Sequence, residues 1–506
     1  MKVLLIVFVF CISAQGTVLG EDAPDLVILN AKIHTVASKK VRKGGIAIKD
    51  GRIIKVDHTY KIRNMMVRET KRVDARGRLV VPGFNDSHTH FMAIGNLFTS
   101  IDLSRVRDPG QIPSMLRHYV RFLPKGRWIQ GGNWDSSNWN PERLPTRHLI
   151  DAATPETPVL LYGPSAEIAL ANSKALELAG IEKGKKAPLG GKIEIDSEGE
   201  PTGVLRGTAI LLVRGQIPRL ASKQFDEVGE TATNYAASLG VTSVQDMHSD
   251  YMAETLRELS RKGKLKTRVY DCTPLSQWKR LADRGIQRAS GDGFVREGCL
   301  KSLAFSDRGA TEDLYKNISA ADRAGLQVMI HAIGSSANRN ILNIYERVIT
   351  ENGKRDRRFR SEHAARLSAT EISRFGRLNI VPSLQPRLFG GYEPYRSLIE
   401  SGAPIAFGSD ATMTDFDPLA GVHYAVTRGR PSERLAVHEA VRLYTLGSAY
   451  AEFQEDEKGT IEKGKYADVV LLSENIFEIP KEEIRNVRVE MTIVNGEIVY
   501  DARQRR

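Results

Sequence analysis

The sequence predicts an α/β protein. Its centre is a (β/α)8 TIM-like barrel with a large insertion after the first strand, joined to a small β-sandwich built from the N- and C-terminal segments. Three observations predict this. The middle of the chain carries eight short apolar runs that alternate with helical stretches, at 79–85, 241–247, 267–272, 300–305, 327–333, 359–363, 380–384 and 405–409. Such alternation is the mark of parallel β/α units, and eight is the number that closes a barrel. Both ends of the 506-residue chain read instead as short strands joined by tight turns. Finally, the link between the first two central runs is far too long for one helix, which requires an insertion over about 95–225.

Residues 2–20 have the form of a signal peptide, with basic Lys2, an apolar stretch from Val3 to Ile12 and the small-residue site Val18-Leu19-Gly20. The apolar stretch is too short to span a bilayer comfortably. The expectation is cleavage after Gly20 and a secreted or periplasmic protein, against a buried first strand or a membrane anchor. Cys11 sits where a lipoprotein cysteine would, but Phe8-Val9-Phe10 is a poor lipobox.

From 21 to 78, Leu26-Val27-Ile28-Leu29, Ile46-Ala47-Ile48 and Ile53-Ile54-Lys55-Val56 read as strands, with Asp50-Gly51 turning between the last two. The segment 455–506 mirrors this: Asp468-Val469-Val470-Leu471-Leu472 and Met491-Thr492-Ile493-Val494 are strands, and Asn495-Gly496 turns into Glu497-Ile498-Val499-Tyr500. Together they predict one small sandwich domain around a barrel domain spanning 79–454. The insertion has strands of its own at Trp128-Ile129-Gln130-Gly131 and Pro158-Val159-Leu160-Leu161-Tyr162, and a hairpin-like stretch at 193–199.

The formal charge of +12 becomes +11 once residues 1–20 are removed. The charges are scattered, and the dense run Lys354-Arg355-Asp356-Arg357-Arg358 reads as a solvated loop. No basic motif interleaved with aromatics is present, which argues against a nucleic-acid partner. The partner expected is a small-molecule substrate, without stable membrane insertion. A homodimer is compatible with the architecture, although no interface signal is visible. Cys272 and Cys299 fall inside apolar runs, as buried free thiols do; a single disulfide is the alternative in an exported protein.

Active sites of such barrels lie at the C-terminal ends of the strands. Reading those ends yields His88 and His90 on the first, Lys301 on the fourth, His331 on the fifth, His363 on the sixth and Asp410 on the eighth. His88 and His90 are two apart, the spacing that puts strand side chains on one side. The four histidines offer neutral nitrogens to one or two divalent ions, zinc foremost. Asp410 is read as ligand and catalytic base in one: one oxygen binds the ion and the other takes a proton from the water that the ion activates to hydroxide. Lys301 joins as a ligand only if neutral or carboxylated on its amine; otherwise it is a salt-bridging lysine at the rim.

The histidines and Asp410 lie in Val81-Pro82-Gly83-Phe84-Asn85-Asp86-Ser87-His88-Thr89-His90, His331-Ala332-Ile333-Gly334, Ser361-Glu362-His363-Ala364 and Phe407-Gly408-Ser409-Asp410. The insertion adds 128–135, Leu144-Pro145-Thr146-Arg147, Ala171-Asn172-Ser173-Lys174-Ala175-Leu176 and Pro201-Thr202-Gly203-Val204-Leu205, and the tail adds Gly464-Lys465-Tyr466-Ala467-Asp468-Val469-Val470. In this combination, over about residues 25–501, the chain resembles the amidohydrolase superfamily, and within it the third family of YtcJ-like and N-substituted formamide deformylase-like enzymes. The resemblance implies a metal-dependent hydrolase, usually zinc, acting on carbon–nitrogen bonds other than peptide bonds, with Lys301 at the position that is often carboxylated and bridges two metals.

Three departures touch the pocket. Ser165-Ala166-Glu167 stands where the family often has Asp-Gly-His, Ser335 stands where many have Asp, and the acidic residue after the lysine is displaced to Asp307. Trp134, Trp139, Tyr162, Glu167 and Asp307 are therefore candidates for substrate contact, with packing of the insertion's own core the competing reading for the aromatic ones. Glu167 would favour a cationic substrate. The function expected is cleavage of a small amide, formamide or N-acyl compound. The alternatives are deamination or cyclic amide hydrolysis at the same site and, from another class, a non-catalytic binding protein on this scaffold.

Overall fold

The computed structural model describes residues 23–98, 101–120, 127–140, 142–163, 166–218, 222–247, 252–302, 312–390 and 393–505. The segment read as a signal peptide and the candidate Asp307 lie outside them.

Eight parallel strands follow one another in a nearly closed barrel: Phe84–Thr89, Val241–Met247, Arg268–Pro274, Val295–Ser302, Gln327–Ile333, Arg360–Ala365, Val381–Leu384 and Ala406–Phe407. The ends are tied by main-chain bonds beyond the last strand, Asp410 N to His88 O at 2.6 Å and His90 N to Ala411 O at 2.7 Å. Helices cross between strands, and their ends are specified locally. Before Ala369–Leu378, for example, Ser368 and Glu371 form a capping box, and Asn379 ends the helix in the left-handed region at φ 52°.

The first apolar run is not one strand. Leu79–Pro82 belongs to the sheet of the termini, where it pairs with Leu26–His34 on one side and Val469–Leu472 on the other. The barrel strand begins at Phe84, and Gly83 links the two sheets. A Cβ on Gly83 would lie 2.1 Å from Thr242 Oγ1, and only glycine lets the chain pass between the layers. The fourth strand also starts earlier than its apolar core suggests. Arg296 and Glu297 interrupt the pattern yet are buried in the strand, Arg296 against the equally buried Glu452.

The termini build one hydrogen-bonded eight-stranded sheet, and Ile28, Ile46, Val80, Val469 and Ile493 from both ends of the chain share its core. Both expected hairpins form. Asp50 and Gly51 (φ 49° and 74°) turn between Val41–Lys49 and Arg52–Asp57, and Asn495 and Gly496 (φ 53° and 75°) turn between Val489–Val494 and Glu497–Asp501. Positive φ at both positions matches the twist of paired strands.

The insertion carries a separate six-stranded sheet, in which Gly191–Ile195 and Pro201–Gly207 form the hairpin at one edge. Cys272 and Cys299 face each other on neighbouring barrel strands and form a disulfide. Of the two readings the sequence left open, free thiols or a single disulfide, the structure has the disulfide. An apolar run says that a cysteine is buried, but not that a second one lies across from it in the next strand.

Candidate metal centre

The first strand delivers His88 with both ring nitrogens directed. Nδ1 lies 2.5 Å from Glu362 Oε2, so it carries the proton, and Nε2 faces Asp410 Oδ1 at 3.5 Å. His90, just beyond the strand, places its Nε2 3.4 Å from the same Asp410 oxygen. His363 Nδ1 donates to Gln385 Oε1 at 2.8 Å, which leaves its Nε2 free to coordinate. The His363 ring is 4.8 Å from that of His88 and 4.4 Å from that of His331. His88, His363 and Asp410 each offer a ligand atom within 4.8 Å of the others. Lys301 is buried on the fourth strand, within electrostatic reach of Glu362 and Asp410.

The backbone is bent to achieve this. His363, Ala364 and Asp410 sit at φ 72°, 41° and 56°, and the pairing of the fifth and sixth strands slips by a residue at Ala364. In a regular strand, consecutive side chains point to opposite faces. The bulge lets Glu362 and His363 both turn toward His88. Non-glycine residues in this region store strain of the order of 1–3 kcal/mol each, and such strain gathers at functional sites. Gly408 is the other requirement, because a Cβ there would lie 2.5 Å from His88 N and 2.7 Å from Asp86 Oδ1.

Charge states suit metal binding. Burial, reinforced by Lys301, lowers His88 to about 3. Burial, reinforced by His363 and Lys301, lowers His331 to about 3. His363 is lowered by burial as well. Three imidazoles are thus neutral with lone pairs available, the form in which histidine binds a metal. Burial pushes the Asp410 carboxyl up, but His88, His90 and His363 outweigh it and hold it well below the ordinary value. Lys301 is lowered by burial, against the opposing pull of Glu362 and Asp410.

Beneath the histidines lies a layer that the sequence reading missed. Arg360 is fully buried and donates through Nε to Glu362 Oε1 at 2.7 Å and through Nη2 to Ser87 O at 2.6 Å; it also bonds Gln245. Arg360 and His88 hold the Glu362 carboxyl well below its ordinary value although burial pushes it up. Asp86 accepts from His88 N and Ser409 N, both at 3.0 Å, which pins the two ligating segments together. The available signal was Arg360-Ser361-Glu362, opposite charges two apart in a strand that has to be buried.

The insertion candidates fare differently. Trp134 is a core residue and not a substrate contact. It is 1% exposed, its Nε1 donates to Leu161 O at 2.9 Å, and its ring lies 5.9 Å from that of Trp139, itself buried in the same core. Tyr162 is half-buried at the end of Val159–Tyr162. Glu167 is exposed before the strand Ile168–Ala171, and among the described residues no hydrogen bond or ion pair joins its side chain to the histidines.

A parallel barrel with neutral imidazoles and an ionised aspartate gathered at the C-terminal strand ends has the make-up of a metal-dependent hydrolase. The chain belongs to the amidohydrolase family, whose model matches residues 71–500. It is 32% identical to Protein LONG AFTER FAR-RED 3 of Arabidopsis thaliana, over 94% of this chain and 91% of that protein. It is 29% identical to the putative amidohydrolase YtcJ of Bacillus subtilis, over 93% and 98% of the two chains. Identity to the N-substituted formamide deformylase of Arthrobacter pascens is 27%, over 94% and 98%. Among solved structures, an uncharacterised metal-dependent hydrolase of Pyrococcus furiosus superposes with a TM-score of 0.73 at 25% identity, covering 90% of this chain and all of that one. A zinc-bound adenosine deaminase of Xanthomonas campestris shares the fold, with a TM-score of 0.55 at 13% identity over 94% and 92% of the two chains. The family and the barrel inferred from the sequence therefore both hold.

Proposed function

We propose that this chain is an exported metal-dependent amidohydrolase that cleaves the carbon–nitrogen bond of a small amide, formamide or N-acyl compound. The observation that carries the reading is Asp410, ionised and within 3.5 Å of the Nε2 atoms of both His88 and His90. His88, His90, His331, His363 and Asp410 fit one or two divalent ions, zinc by preference, and Lys301 joins them if carboxylated. An ion held there would polarise the substrate carbonyl and acidify the attacking water. Asp410 takes the proton of the water as the water's oxygen bonds to the carbonyl carbon, and passes that proton to the leaving nitrogen as the C–N bond breaks, while Glu362 keeps His88 and Gln385 keeps His363 aligned. The formamide deformylase among the relatives supports a C–N bond as the target.

The test is turnover of a panel of N-formyl and N-acyl amines and amino acids by the zinc-loaded protein. Asp410→Asn should lower the rate by roughly 10²–10⁴-fold; full activity across the panel would remove Asp410 from its role. For Lys301, Lys301→Ala should lose metal and activity, with partial rescue by added short carboxylates. Unchanged stoichiometry and rate would show that it is no ligand.

The fold shared with the adenosine deaminase favours a second reading, deamination or opening of a cyclic amide by the same residues. Ammonia release from an amino-heterocycle separates the two. Export rests on residues 1–20, and the Cys272–Cys299 disulfide supports an oxidising compartment. N-terminal sequencing of the mature protein should begin at Glu21. No helix among the described residues is long and apolar enough to cross a membrane.

A further inference from the structure

Three apolar side chains stand beside three of the ligands at the barrel mouth. Ile333 is 38% exposed and Met413 is 43% exposed; among the described residues they are the two exposed large apolar side chains of the barrel. The others, such as Leu189 and Ile498, belong to the insertion and to the terminal sheet. Single exposed apolar residues are ordinary on any surface. Here both accompany the metal centre. Ile333 ends the fifth strand two residues after His331, so the two side chains leave on the same side. Met413 closes a turn on Asp410, with its N–H donating to Asp410 O at 2.7 Å.

Phe389 is the third. It lies on the turn after the seventh strand, in which Leu388 N donates to Gln385 O at 3.0 Å. Its ring meets that of His363 edge-on, with centroids 6.2 Å apart and planes at 81°. Phe389 is half-buried and belongs to none of the hydrophobic clusters of the described residues. Core packing therefore does not account for its place, whereas an apolar group seated next to His363 would.

The direction of proton transfer sorts the three. Asp410 gives its proton to the leaving nitrogen, so the amine substituent departs on the Asp410 side, past Met413. The acyl substituent then points the other way, to the side of His331 and His363, where Ile333 and Phe389 stand. A formyl hydrogen would leave both side chains uncovered. A charged acyl group would be desolvated against them.

We propose that this mouth holds a pocket for an uncharged apolar acyl group longer than formyl, with Phe389 and Ile333 as the residues that select it. The proposal rests on the hydrolase reading above and narrows its substrates to N-acyl compounds, away from formamides.

Two measurements on the zinc-loaded, full-length protein test it. The first is kcat/KM for N-ethyl amides carrying formyl, acetyl, hexanoyl and adipoyl groups, the last ending in a free carboxylate. A buried CH2 is worth roughly fourfold, so on this half-open wall hexanoyl should exceed acetyl by at least about tenfold, and adipoyl should fall below hexanoyl. The second is calorimetric titration with acetohydroxamate and hexanohydroxamate, which grip a metal whether or not amides are cleaved. Hexanohydroxamate should bind more tightly by at least about tenfold. Phe389→Ala should cut both advantages to about threefold or less. Ile333→Ser should cut them by a smaller factor, and Ile498→Ser should leave them as in wild type. Equal binding of the two hydroxamates, a preference for formyl or adipoyl, or undiminished advantages in both Phe389→Ala and Ile333→Ser would each overturn the proposal. No amide turnover with the hydroxamate advantage intact would support the pocket and remove the hydrolysis.

Discussion

Glu362 shows how much of this site depends on groups that do not themselves coordinate. Its carboxylate fixes the tautomer of His88 and is itself fixed by Arg360. Glu362→Gln would remove the charge that holds the Nδ1 proton, and partners of this kind are worth 10–100-fold in metal affinity. Zinc affinity of Glu362→Gln, measured by competition with a chelator, should fall by about that range; an unchanged constant would show that Glu362 is structural only. His34 gives a prediction in pH. Its folded pKa, about 4, is below the unfolded value of 6.5, so the folded state binds fewer protons and is stabilised as pH rises. That contribution is complete above about 6.5 and is lost as pH falls through 4, with His438 the nearby group that also disfavours the proton. Urea denaturation should show wild type losing up to roughly 3 kcal/mol more than His34→Phe across this window; parallel curves would contradict the assignment.

At the scale of elements, the strand ends were legible because hydrophobic runs stop at polar residues, and His88, His331, His363 and Asp410 fall at or near such stops, whereas Lys301 interrupts the run at 300–305 near its start. What sequence could not reveal was a single run serving two sheets. Leu79 to Phe84 is uniformly apolar, and only the close approach to Thr242 marks Gly83 as the break. Glu362 was hidden by the alternation rule, since its neighbour His363 was already assigned to the inner face and the bulge at Ala364 leaves no trace in hydrophobic pattern. For Trp134 the sequence left two readings open, because a tryptophan fills a core or a pocket equally well, and the burial of its ring favours the core. The disulfide links neighbouring strands across a sequence separation of 27 residues. Closing such a loop stabilises by roughly 3 kcal/mol. The double variant Cys272→Ala, Cys299→Ala should lose about that much in chemical denaturation, whereas equal stability would mean that the barrel alone fixes these strands.

Across the whole molecule, a buried ion pair helps to hold the barrel and the terminal sheet together. Arg268, at the start of the third barrel strand, donates to Asp468 at 2.7 and 3.0 Å, and Asp468 also accepts from Asn495 N at 2.9 Å. Removing one partner of a buried pair leaves an uncompensated charge and costs about 3–5 kcal/mol. Asp468→Ala should therefore lower the thermal midpoint sharply, and a wild-type midpoint would show that the apolar contacts between the units suffice. The tail motif that contains Asp468 was legible as a family signature, but its duty as a joint was not, because Arg268 is 200 residues away.

The central claim is that the cluster around His88, His363 and Asp410 hydrolyses a C–N bond with a bound metal. The most direct measurement is amide hydrolysis before and after chelation, with metal content determined in the same samples. The account predicts that activity disappears with the metal and returns on adding zinc. Undiminished hydrolysis by metal-free protein would contradict it.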